Sequence, residues 1–137
     1  MTSEFGVAVH ALVFLCHKKE TASSEQLAEN ICTNPARVRK VMGKLKKAGI
    51  LSTKEGADGG YRLTVPADGI TLCQVGKAVD AHFVSARWHS GDTDMPCLVA
   101  SGMAGLMDEL YGQLDNLCKN HLESITISKI AHRLFGE

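Results

Sequence analysis

Two helix start signals fall so close together between Ala22 and Gly49 that a helix-turn-helix is the economical way to satisfy both. In "ASSEQLAENI", Ser23 and Gln26 have capping-box spacing, in which a hydroxyl accepts from a first-turn amide and the side-chain amide reaches back. A short helix over about Glu25 to Asn30 is predicted. In "CTNPARVRKVMGKLKKAG", Asn34 is placed to cap, Pro35 suits the first helical position because its missing N–H would be unpaired there anyway, and Gly49 is placed to end the helix. About three residues separate the two helices, which is helix-turn-helix spacing.

The second helix has two distinct sides. Val38, Val41, Met42 and Leu45 recur at i, i+3, i+4 and i+7 and form an apolar face. Ala36, Lys40, Gly43 and Lys47 point the other way, with Arg37, Arg39 and Lys44 on the shoulders. Ala36 and Gly43 are small enough to let the helix backbone approach a groove lined by phosphates. Arg37, Arg39 and Lys40, nearest the helix start, are placed to reach base edges, and Lys44 and Lys47 to meet phosphates. A basic helix face alone is more often a solvated surface, so the flanking elements carry the reading.

After this helix, "ILST" and "YRLTV" have strand composition, and Tyr61, Leu63 and Val65 alternate with Arg62 and Thr64. Between them Gly56, Gly59 and Gly60 offer positive φ without steric cost, and Asp58-Gly59 is a turn signal. A hairpin directly after a basic helix is a wing. Its bare glycine tip, Gly59 and Gly60, suits a minor groove, while Lys54 and Arg62 at its base suit phosphates.

The net charge is zero, but the charges are segregated. Residues 34–64 hold eight basic groups against two acids, whereas residues 71–137 hold five against eight. The first stretch calls for an anionic partner and the second does not. "PADGITLCQVGKAVDAHF" reads as a turn and a helix over about Leu72 to Ala81, followed by the exposed loop "VSARWHSGDTDMP". From Cys97 to about Leu122 runs a long helix with a stripe of Val99, Met103, Leu106, Leu110, Leu114 and Leu117. That stripe exceeds what a small winged domain covers, and its simplest use is packing against the same helix of a second subunit. A last helix is predicted over about Ser128 to Phe135, and a first one over about Glu4 to His17 with Ser3 as its cap. The resulting division is 1–81 for a winged domain, 82–96 for a loop and possible sensor segment, and 97–137 for a dimerisation helix and terminal helix.

No run reaches the roughly 18 apolar residues of a membrane span. "MTSEFGVAVHALVFLCHKK" has its basic pair after the apolar run, unlike a signal peptide. Five widely spread cysteines do not make a disulfide framework and point to reduced thiols in a cytoplasm. Six histidines offer general bases, but no metal motif, phosphate loop or nucleophile elbow is present, which argues against catalysis.

The string from Ser23 to Asp80 resembles the Rrf2 family of bacterial winged helix-turn-helix regulators, in the "NPxxVRK", "LxxAGIL", "GxxGGYRL" and "ITL" motifs and their order. The resemblance implies a mainly α fold with a small β-hairpin wing and a long dimerisation helix. It also implies a homodimer on a near-palindromic operator, usually repressing. Cluster-binding members of that family carry three closely spaced cysteines before the long helix, where this chain has Cys97 alone, so no cofactor is carried over. A cluster built from Cys97 with His82 or His89 of a partner subunit is one alternative. A thiol switch at Cys97, near a helix start that lowers thiol pKa, and a small-molecule pocket closed by Trp88 beside His89 are the others. A winged module serving protein association is the reading from another class, but it would not need so many basic residues.

Overall fold

The computed structural model describes residues 3–136 and consists of six α-helices around one core, with a two-stranded hairpin at its edge. Helix α1 (Ser3–Lys18) runs through the centre and buries Val7, Ala8, Ala11, Leu12, Val13 and Leu15. Ser3 is its first helical residue rather than a cap outside it.

Helix α2 (Ser24–Ile31) starts with the predicted capping box. The Gln26 amide donates to Ser23 Oγ at 3.1 Å, and the Ser23 amide donates to Gln26 Oε1 at 2.8 Å. Helix α3 (Pro35–Lys47) follows, with Asn34 Oδ1 accepting from the Arg37 amide at 2.8 Å. Val38, Val41, Met42 and Leu45 are fully buried against α1 and α2. Burial of that many large apolar groups, each contributing about 1.5 to 3 kcal/mol, fixes the rotation of α3 and therefore which face it leaves outside. Gly49, at φ 79°, ends it in a Schellman motif, with Gly49 donating to Lys46 and Ile50 to Leu45.

Strands β1 (Leu51–Lys54) and β2 (Gly60–Leu63) pair antiparallel, Leu51 opposite Leu63 and Lys54 opposite Gly60. A separate bridge joins Ala22 and Tyr61, which exchange backbone hydrogen bonds of 3.1 and 2.8 Å. Thr21 Oγ1 also donates to the Asp58 carbonyl at 2.6 Å. The wing is thus stapled to the α1–α2 connection instead of projecting freely.

Helix α4 (Leu72–Ala78) opens with a second capping box, Thr71 with Gln74. It stops three residues before the predicted Ala81, because Asp80 takes a left-handed φ of 54° and Ala81 donates back to the Gly76 carbonyl at 2.8 Å. That is the same Schellman closure without a glycine to announce it. Helix α5 (Leu98–Leu122) is about 37 Å long. Helix α6 (Ile127–Phe135), which the sequence groups with α5, returns to α1 and completes the core of the winged domain. Ile127 is fully buried, its amide donates to Ile70 at 2.9 Å, and Leu72 donates to Ile125 at 2.8 Å.

The 82–96 segment has no regular structure, as its composition predicts, yet it is strapped to α5. Asp115 Oδ1 accepts from the amides of Phe83 at 2.5 Å and Val84 at 3.0 Å, while Lys119 Nζ lies 3.0 Å from Oδ2. His89 Nε2 stands 2.9 Å from both oxygens of Asp108. Asp92 donates to the Ala100 carbonyl at 2.9 Å. Phe83 meets Phe5 of α1 edge to face at 5.0 Å, so the start of the segment touches the core as well.

Candidate nucleic-acid interface

With its apolar side sunk in the core, α3 turns Ala36, Lys40, Gly43 and Lys47 outward, all four exposed. Asn34, at the helix start, is exposed too, but its side-chain oxygen is committed to the cap. Arg37 is half-buried at the shoulder. Neither Arg37 nor Lys47 makes an ion pair among the described residues.

Three other cations already have partners. Arg39 Nη1 lies 3.7 Å from Glu25 and donates to Ser24 Oγ at 3.4 Å. Lys44 Nζ is 2.6 Å from Glu4 Oε2, and Lys40 Nζ is 3.2 Å from Glu4 Oε1. Lys44 in particular is drawn toward α1. Glu4 was not legible as part of this surface, since nothing local reveals that the first turn of α1 lies against α3. The Lys44 ammonium holds the Glu4 carboxyl below its usual range, against a smaller upward push from burial.

The wing adds Lys54, exposed at the end of β1, and Arg62, exposed with its Nε donating to Ser52 Oγ at 3.4 Å. Lys46, not singled out from the sequence, donates to Thr53 Oγ1 at 3.1 Å and ties the end of α3 to β1. The glycines of the wing answer to the protein itself. A Cβ on Gly60, whose φ is 147°, would come within 2.5 Å of the Ala22 carbonyl oxygen, and one on Gly59 would come equally close to that of Lys54. Gly56 and Gly60 use positive φ, as predicted, whereas Gly59 does not. The tip proper is formed by Glu55, Gly56, Ala57, Asp58 and Gly59, between the two strands.

The residues expected to sense a signal are not gathered into one place. Trp88 is 77% exposed. His89 is bound to Asp108, about three turns along α5 from Cys97. Cys97 is the N-cap of α5 and is exposed. Its thiol makes no cap hydrogen bond in this geometry, but the amides of Ala100 and then Val99 pull its pKa below the usual thiol value.

The predicted dimer stripe stands open. Val99, Leu106, Leu110, Leu114 and Leu117 are between 44% and 65% exposed, and Met103 is half-buried. Among the described residues of α5, Asp115 alone is buried. Burial pushes its pKa up, but the Val84 amide, Lys119 and the Phe83 amide outweigh burial and leave it at about 2. No helix among the described residues is long and apolar enough to cross a membrane.

Residues 1–133 match the Rrf2 family, described as an iron-dependent transcriptional regulator. The chain belongs to the Rrf2 family. It is therefore a transcriptional regulator and not an enzyme. It is 30% identical over 135 residues to the HTH-type transcriptional regulator YwnA of Bacillus subtilis (strain 168), covering 98% of this chain and 99% of YwnA. The winged-helix architecture recurs in T. potens IscR, with a TM-score of 0.71 at 15% identity, covering 98% of this chain and 87% of that one. It recurs again in CymR, the global cysteine regulator of B. subtilis, with a TM-score of 0.70 at 18% identity, covering 97% and 96%.

The family description raises the question of iron, and the donor set of this Rrf2 chain does not fit it. Among the described residues no three His, Cys, Asp or Glu side chains converge as metal ligands. The five cysteines sit on α1, after α2, inside α4, before α5 and within α5, with Cys73 buried in the core. Thiolate clusters need three or four such ligands together.

Proposed function

We propose that this Rrf2 chain acts as a homodimeric repressor that binds a near-palindromic duplex through α3 and the wing of each subunit. The observation that carries the reading is the outward face of α3, where two small residues, Ala36 and Gly43, flank the exposed Lys40 on a helix whose other side is fixed by the core. Arg37, with Arg39 and Lys40, reaches base edges, and Lys47, Lys54 and Arg62 neutralise phosphates. Asn34 and the Gly59-Gly60 end of the hairpin shape the surface from within.

Pairing occurs through the stripe of Val99, Met103, Leu106, Leu110, Leu114 and Leu117. It sets the two recognition helices about one turn of DNA apart, roughly 34 Å. A dimer on its operator represses by occupying the duplex. The signal enters through the 82–97 segment, as a small molecule or as oxidation of Cys97. The lowered thiol pKa favours the second route.

Selection of bound fragments from a genomic library, repeated across salt concentrations, tests the reading. Recovery of a sequence with two-fold symmetry supports it. Failure to bind any duplex at low salt would leave a winged module for protein association.

A further inference from the structure

Glu4 and Lys44 are forty residues apart in sequence, and their contact brings the first turn of α1 to the border of the exposed α3 face. One carboxylate spans two ammonium groups, at 2.6 Å to Lys44 and 3.2 Å to Lys40, which lie one turn apart on α3. An anion held between two lysines on a DNA-facing helix is the arrangement that a backbone phosphate would take up. The two contacts are not equivalent. The side chains of Glu4 and Lys44 are 24% and 37% exposed, so water screens their pair less than an ordinary surface bridge, while Lys40 is 66% exposed and held more loosely.

We propose that Glu4 is a built-in phosphate surrogate that withdraws Lys44 from phosphate neutralisation, lowering affinity for DNA of any sequence. The proposal rests on α3 being the DNA-contacting helix. A phosphate approaching Lys44 must displace the carboxylate or share the ammonium with it, and either course costs attraction that a free lysine would supply. Each lysine kept from a phosphate removes about 0.9 from the slope of log affinity against log salt. Bulk DNA then holds the regulator more weakly, and base contacts from Arg37 carry a larger share of binding.

The variant Glu4→Gln keeps the size of the side chain and removes its charge; a thermal melt verifies that it folds, and Glu4→Ala serves as a second variant. Binding to a random-sequence duplex of about three helical turns is measured between about 50 and 200 mM salt. The expected result is a slope steeper by roughly one unit and a three- to tenfold gain in affinity at low salt. Adding Lys44→Ala to Glu4→Gln should take back about one unit. A folded Glu4→Gln protein with the wild-type slope overturns the proposal, as does a gain that Lys44→Ala fails to reverse. A wild-type protein that binds no duplex overturns the DNA reading itself; a wild type that binds, with an unaltered Glu4→Gln slope, overturns the role of Glu4 alone.

Discussion

The amide of Phe83 donates to the carboxylate of Asp115 at 2.5 Å and fixes the exit from α4 to the middle of α5. A buried carboxylate in that position serves two amides and Lys119 at once, so removing it strands several polar groups. Asp115→Ala is expected to cost about 2 to 4 kcal/mol in denaturant unfolding, more than an exposed acid on the same helix.

The same residue predicts an acid limb of stability. Its folded pKa of about 2 lies below the ordinary 3.8. The depressed value means that stability is fully present above 3.8 and is lost as the pH falls through about 2. The portion at stake is about 2 kcal/mol. Asp115→Asn should flatten the pH dependence of unfolding in that window and leave it unchanged above pH ~5.

The α5 stripe predicts the state of assembly. Leu106 and Leu110 are half-exposed in a single chain, and each contributes about 1.5 to 3 kcal/mol when covered. Changing both to Asp should give monomers or insoluble protein by light scattering. A wild type that is monomeric and soluble at micromolar concentration would contradict the pairing.

Arg37 and Lys47 should separate in DNA binding. Arg37→Ala is expected to relax sequence preference at one position of the site by about 1 to 3 kcal/mol, read by competition among operator variants. Lys47→Ala should weaken all duplexes alike and lower the salt slope by about one unit.

Cys97 is exposed and open to reagents. The amides at the start of α5 favour the thiolate of Cys97. Alkylation of Cys97 should therefore proceed at lower pH than that of a free small-molecule thiol, followed by peptide mass analysis. Equal pH profiles would remove the physical basis for a thiol switch.

Local chemistry was legible in the sequence wherever neighbours along the chain decide the outcome. Ser23 with Gln26, Asn34 with Pro35, and Gly49 fix both ends of the helix-turn-helix through contacts a few residues apart. Distant partners hid the rest. Asp80 adopts a left-handed turn that glycine usually marks, so α4 reads as longer than it is. Gly60 looks like a free tip until Ala22 is seen beside it. Glu4 reads as an ordinary first-turn acid, and Asp115 as a surface acid beside an apolar stripe, because the segments they bind lie about 30 to 40 residues away.

The return of α6 to the core has a consequence for the order in which the molecule takes shape during synthesis. Ile127 fills the centre of the winged domain and its amide completes a bridge to Ile70. A nascent chain that has released α1 to α4 from the ribosome still lacks this plug, and its core has an open socket against α1 until residue 127 emerges. The whole of α5 must be made first. The exposed face of α3 therefore settles only after α5 has been made, and a chain cut within α5 leaves the winged fold without its plug.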